Sequence, residues 1–97
     1  MDKMTFVIDI DGTLIRSVKE GDEYKVIYID TEEINAVNRL YAQGHEIILW
    51  TGRRWELHAL TVKQMKNYGV KYHALVMGKP IGVYIDKDAH TTAMDFV

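Results

Sequence analysis

The sequence predicts an α/β domain built on a parallel β-sheet, with a ligand site along one edge of that sheet. Short apolar runs of strand length alternate with segments of helical period, a pattern that calls for parallel strands joined by right-handed crossovers. Each apolar run ends in polar residues: Asp9 and Asp11, then Thr51-Gly52-Arg53, then Lys79, then Asp86 and Asp88. In open parallel sheets ligands bind at the carboxyl ends of the strands, so these endings belong to one edge. Asp9 and Asp11 are separated by a single residue, and alternation sends both to one side unless the chain turns between them. Two like charges so close repel and lose hydration, which calls for a cation, a shared proton or a strained catalytic site.

The elements follow in order. Met4 to Ile10 is an apolar run that reads as the first strand. Leu14 to Ile29 reads as a β-hairpin, with alternation through Tyr24-Lys25-Val26-Ile27-Tyr28-Ile29 and a turn signal at Glu20-Gly21-Asp22. Thr31 to Gln43 places Ile34, Val37, Leu40 and Tyr41 at helical spacing, with Asp30 and Glu33 as a capping box and Gly44 as the stop. His45 to Trp50 is the second strand. A second helix is expected from about Arg54 to Tyr68, with Trp55, Ala59, Val62 and Met65 on one face and Gly69 ending it. A short third strand lies near His73 to Val76, a loop runs through Gly78-Lys79-Pro80, and a fourth strand is expected at Val83 to Ile85. The tail from Asp88 to Phe96 reads as a short helix.

A chain of 97 residues is expected to form one domain over 1–97. Its 47% apolar and 27% charged residues fit a soluble globular protein. The net charge of −2 gives no basic stripe for nucleic acid, so none is expected as a partner. The absence of Cys excludes disulfides, thiol catalysis and thiolate metal sites, and fits a cytoplasmic protein. No apolar segment approaches a signal core or a membrane span, so no membrane partner is expected. Self-association through the hairpin or an exposed sheet edge is left open.

Asp, Asp, Thr, Lys and Asp around one edge suit phosphoryl transfer, which needs a nucleophile, charge neutralisation and positioning. A carboxylate can attack phosphorus and form an aspartyl phosphate. Mg²⁺ takes oxygen ligands, usually one or two carboxylates with waters and substrate phosphate, and Asp9 and Asp86 can supply them. Lys79 can neutralise phosphoryl oxygens, Thr51 can donate its hydroxyl, and the Gly52 and Arg53 amides can point at the same oxygens. Gly12 and Thr13, at the turn after the aspartates, are expected beside the substrate phosphate. Asp11 is left as acid for the leaving alcohol and base for water. His45, His58, His73 and His90 show no metal-ligand spacing and read as surface or packing residues, with His90 nearest the site edge.

Asp9-Ile10-Asp11-Gly12-Thr13 resembles the first motif of the haloacid dehalogenase superfamily of aspartate-nucleophile phosphatases. Ile47-Ile48-Leu49-Trp50-Thr51-Gly52-Arg53 resembles the second motif, Lys79 stands at the third, and Tyr84-Ile85-Asp86 resembles the fourth. The resemblance covers nearly the whole chain and implies a three-layer Rossmann-like sheet of about four strands in the order 3-2-1-4. It implies Asp9 as nucleophile and metal ligand, and Asp11 as acid and base with its backbone carbonyl on the metal. Thr51 and Lys79 would hold the phosphoryl group, and Asp86 would be the other carboxylate on Mg²⁺. An Asp at position 11 belongs to the phosphatase and phosphomutase branches, which implies phosphomonoester hydrolysis. Lys87 stands where the fourth motif usually has a second acid, and the next acid is Asp88.

The chain has room after its first motif only for the hairpin, and after its second for one helix and one strand, so no cap domain is expected. The expected substrate is a small phosphorylated metabolite such as a sugar phosphate. The alternatives are a macromolecular phosphate (a nucleic-acid end or a phosphoprotein) or a non-catalytic binding domain of the same fold. A receiver-type signalling domain also uses Asp, Thr, Lys and Mg²⁺, but its phosphoacceptor ends the third strand, where this chain has no acid.

Overall fold

The computed structural model describes residues 2–21, 23–82 and 94. The expected fourth strand, the tail helix, and Asp86, Lys87, Asp88 and His90 lie outside the described residues.

Three strands form the parallel sheet: β1 (Thr5–Ile8), β4 (Glu46–Trp50) and β5 (Ala74–Val76), in the order β1-β4-β5. Phe6 lies beside Ile47 and Ile8 beside Leu49 in the β1–β4 register, while Leu49 lies beside Leu75 in the β4–β5 register. The expected neighbours 3-2-1 are therefore present. Between β1 and β4 stand an antiparallel hairpin, β2 (Ile15–Glu20) with β3 (Glu23–Ile29), and helix α1 (Thr31–Ala42). Between β4 and β5 stand a 3-10 turn, Trp55–Leu57, and helix α2 (His58–Asn67).

The core lies on one face of the sheet. Ile34 and Val37 of α1 and Met65 of α2 meet Ile47 and Leu49 of β4 there, with Ile10, Leu14 and Ile15 from the turn and the hairpin base. Full burial of such a side chain contributes about 1.5–3 kcal/mol, so this cluster is the main source of stability among the described residues. On the opposite face Val7 is 56% exposed. Helix α1 starts as its capping residues predict: the Asp30 carboxylate accepts the Glu33 N–H at 3.0 Å. Two histidines act as backbone acceptors for the strands. His45 Nδ1 accepts the Met4 N–H and His73 Nδ1 accepts the Ile47 N–H, each at 3.0 Å.

Two elements differ from the sequence reading. The second helix begins at His58 and turns Thr61, Gln64 and Met65 inward, while Trp55 and Ala59 are exposed. Apolar periodicity could not reveal this, because two of the three inward positions are polar. In the hairpin, Arg16 pairs with Tyr28 but Ser17 pairs with Val26. Ile27 is therefore an extra residue, a β-bulge that interrupts the alternation and leaves both Ile27 and Tyr28 exposed.

Candidate active site

Strand β1 ends at Ile8, and the chain turns sharply just beyond it. The Ile10 carbonyl accepts the N–H groups of Thr13, Leu14 and Ile15 at 3.2, 2.9 and 3.3 Å. Gly12 has φ +88°, a left-handed conformation that a side chain disfavours. Ile10 and Leu14, both fully buried, anchor this turn in the core. Because the chain turns here, the two aspartates do not share one side, and each meets different partners.

Asp9 faces an open cleft of about 310 Å³ lined by Asp9, Gly52, Lys79, Pro80, Ile81 and Gly82. Its Oδ1 accepts the N–H of Ile10 at 2.9 Å. Lys79 reaches this cleft through backbone bonds. The Thr51 N–H donates to Val76 O at 2.9 Å, the Lys79 N–H to Thr51 O at 2.9 Å, and the Gly78 N–H to Arg53 O at 2.7 Å. The loop after β5 thus runs alongside the loop after β4 and delivers Lys79 next to Gly52. Gly78 has φ +73°, and a Cβ there would stand 3.3 Å from Trp55 Nε1. The Lys79 Nζ lies 5.2 Å from the centroid of the Trp50 ring, a cation–π distance. Thr51 is buried, and its hydroxyl accepts the Arg53 N–H at 3.2 Å, which leaves its own O–H to donate.

Asp11 belongs to a closed network. Arg53 holds it through two parallel bonds, Nε to Oδ2 and Nη2 to Oδ1, both 2.9 Å. This fork geometry is the strong form of a charge-assisted pair. The Ser17 hydroxyl also donates to Asp11 Oδ1, at 2.5 Å. The remaining guanidinium nitrogen, Nη1, donates to Thr61 Oγ1 at 3.1 Å and to Gln64 Oε1 at 2.5 Å. The Gln64 amide donates in turn to the Tyr24 carbonyl at 2.9 Å, and the Arg53 guanidinium carbon lies 4.5 Å from the Tyr24 ring centroid. Among the described residues no buried side-chain polar atom lacks a partner. A fully satisfied network of this kind is rigid, and it answers the repulsion between the two aspartates by giving one of them its own cation.

The structure thus brings Asp9, Gly52 and Lys79 to one cleft, with Thr51 adjoining Gly52. It places the other described candidates elsewhere, and Asp86 lies outside the described residues. The Arg53 side chain is buried and committed to Asp11, Thr61 and Gln64, and its N–H is on Thr51. Gly12 and Thr13 line a separate cavity of about 290 Å³ with Ile15, Arg16, Tyr28 and Asp30, and the Gly12 N–H is bonded to Ile15 O at 2.7 Å. Arg54 forms an exposed ion pair with Glu56 at 3.9 Å, which contributes little. Ser17, Thr61 and Gln64 carry no signal by themselves. The spacing of Thr61 and Gln64, three apart on α2, could have hinted at a shared inward task.

Among the described residues no three His, Asp or Glu side chains converge as a metal site. The Asp9 carboxylate is the described acidic donor at the cleft, an oxygen ligand of the kind Mg²⁺ takes. The Asp11 carboxylate is occupied by Arg53 and Ser17, so any metal contact from that residue would have to come from its backbone carbonyl.

A parallel α/β sheet with an aspartate, a threonine and a lysine at its carboxyl edge defines a Rossmann-like domain with a polar edge site. The family model of the haloacid dehalogenase-like hydrolases matches residues 6–94, and the chain belongs to that family. A crystal structure of a structural-genomics target from Vibrio cholerae shares the fold, with a TM-score of 0.61 at 22% identity over 95% of this chain and 85% of the other. Comparison with curated proteins finds no match. No helix among the described residues is long and apolar enough to cross a membrane.

Proposed function

We propose that this hydrolase is a Mg²⁺-dependent phosphomonoesterase that works through an aspartyl phosphate on Asp9, with a small phosphorylated metabolite such as a sugar phosphate as substrate. The observation that carries the proposal is that Asp9 and Lys79 line one open cleft at the carboxyl edge of the sheet. An Asp9 oxygen attacks phosphorus, the ester P–O bond breaks, and the alcohol leaves with a proton. Water then attacks the phosphorus of the aspartyl phosphate, releasing inorganic phosphate and restoring the Asp9 carboxylate. Lys79 offsets the charge of the phosphoryl oxygens, and the Thr51 O–H donates to one of them. Asp11 carries the proton to the leaving oxygen and takes one from the attacking water. The metal's holders would be the Asp9 carboxylate, the Asp11 backbone carbonyl and Asp86. When bound, Mg²⁺ supplies charge neutralisation for the phosphoryl group.

The competing reading is a non-catalytic binding domain, and it draws on the engagement of both Asp11 oxygens by Arg53 and Ser17. Hydrolysis of an aryl phosphate and of a panel of phosphate esters decides between them, run with Mg²⁺, with EDTA, and with Asp9→Asn. Metal-dependent turnover that Asp9→Asn abolishes supports the phosphatase. No turnover on any ester leaves the binding domain standing.

A further inference from the structure

Arg53 is the largest fully buried side chain among the described residues, and it does not line the Asp9 cleft. Its Nε and both Nη atoms all donate to protein acceptors. The carboxylate it grips belongs to the residue that the phosphatase reading makes the proton carrier. At the other end of the pair, the Asp11 side chain is 28% exposed against 0% for Arg53. The pair therefore runs from the interior to a carboxylate that solvent, and a substrate, can reach.

The hairpin touches this same pair from both strands. From β2, Ser17 donates to Asp11 Oδ1. From β3, the Tyr24 ring lies over the guanidinium and the Tyr24 carbonyl is tied to Gln64, which holds Nη1. The bulge opposite Arg16 and Ser17 shifts the register beside Ser17, and bulges of this kind re-aim neighbouring side chains. Asp11 Oδ1 thus receives one donor from Arg53 and one directly from the hairpin.

We propose that Arg53 is a positioning residue for Asp11, and that Ser17 makes the reach of Asp11 toward the leaving group depend on the hairpin. The proposal rests on the phosphatase reading. A leaving alcohol lodged under the hairpin replaces Ser17 on Oδ1 while the Arg53 fork keeps the carboxyl oriented. Asp11, carrying the proton it took from the attacking water of the previous turnover, then passes it to the leaving oxygen as the P–O bond breaks. Arg53 itself never touches substrate. An alkyl alcohol, which leaves poorly as an anion, needs this arrangement; a nitrophenolate leaves without a proton and does not.

The test compares kcat/KM on a simple alkyl phosphate and on 4-nitrophenyl phosphate, since that ratio reports the steps through the first P–O cleavage. Lys at position 53 keeps the charge but cannot form the fork. Arg53→Lys is expected to lose at least about tenfold more on the alkyl ester than on the aryl ester, because proton donation matters for only one of them. Ser17→Ala is expected to show the same selectivity more weakly, and the double variant to lose less than the product of the two single losses. If Arg53→Lys does not fold, Ser17→Ala, at a half-buried hairpin position, decides alone. Equal losses on both esters would mean a structural role and overturn the proposal. So would a rise in KM on both esters with kcat unchanged, which would make Arg53 a phosphate contact. The alkyl ester is taken from the panel of phosphate esters, and if the wild type turns over no ester of that panel, the phosphatase reading fails and the positioning role fails with it. Turnover by the wild type without ester selectivity in the variants removes the positioning role alone.

Discussion

Asp9 and Asp11 stand two residues apart in one turn, yet their surroundings are opposite. Asp9 opens onto a cleft of about 310 Å³ shared with Lys79, and its Oδ1 accepts the next residue's N–H. Asp11 is enclosed by an arginine fork and a serine hydroxyl. Chemically identical groups are thus prepared for different tasks: the open one to meet an incoming phosphorus, the enclosed one to hold a fixed direction. The turn at Ile10–Gly12 separates them, and the buried guanidinium keeps them from acting as a repelling pair.

Breaking the open side is expected to have the largest effect. Asp9→Asn removes the nucleophile and should lower metal-dependent turnover by about three orders of magnitude or more, with the unfolding midpoint little changed. EDTA should abolish turnover of the wild type, and added Mg²⁺ should restore it. Lys79→Met removes charge neutralisation at the cleft and should lower kcat about 10²–10³-fold, read on the same ester. Breaking the enclosed side should appear first as lost stability. Arg53→Met strands the Asp11 carboxylate and leaves Thr61 and Gln64 without their donor, at a cost of about 3 kcal/mol in urea unfolding. A stability loss from Asp9→Asn as large as that from Arg53→Met would erase the distinction between the two sides. The smallest effect sets the scale: Asp30→Ala removes the α1 cap and should cost about 1 kcal/mol without changing KM.

Much of the fold was legible because its signals are local and physical. Asp30 and Glu33 mark the start of α1, and the apolar run of β4 marks a buried strand, since each follows from caps or burial that a sequence displays. The convergence of Asp9, Gly52 and Lys79 was legible too, because parallel topology sends strand ends to one edge. The inward face of α2 was not. Thr61 and Gln64 point inward because Arg53 needs acceptors there, and Arg53 is inside because Asp11 needs a cation. That chain of causes runs through tertiary contacts at separations of 8 to 42 residues, which no periodicity records. The sequence reading placed the Arg53 amide at the phosphoryl oxygens; the burial of the side chain could not be inferred from the residue itself.

The bonds that bring Lys79 to the cleft are carried by the main chain: Val76 to Thr51, Thr51 to Lys79, Arg53 to Gly78. Main-chain bonds are indifferent to side-chain identity, so the exposed position 76 can drift without moving the lysine, whereas Gly78 cannot, given its φ of +73° and its closeness to Trp55. Divergence can therefore erase most of the letters around this lysine while its place in space persists. In distant descendants of this chain, a glycine followed by a lysine just past β5 would be the surviving trace of the site.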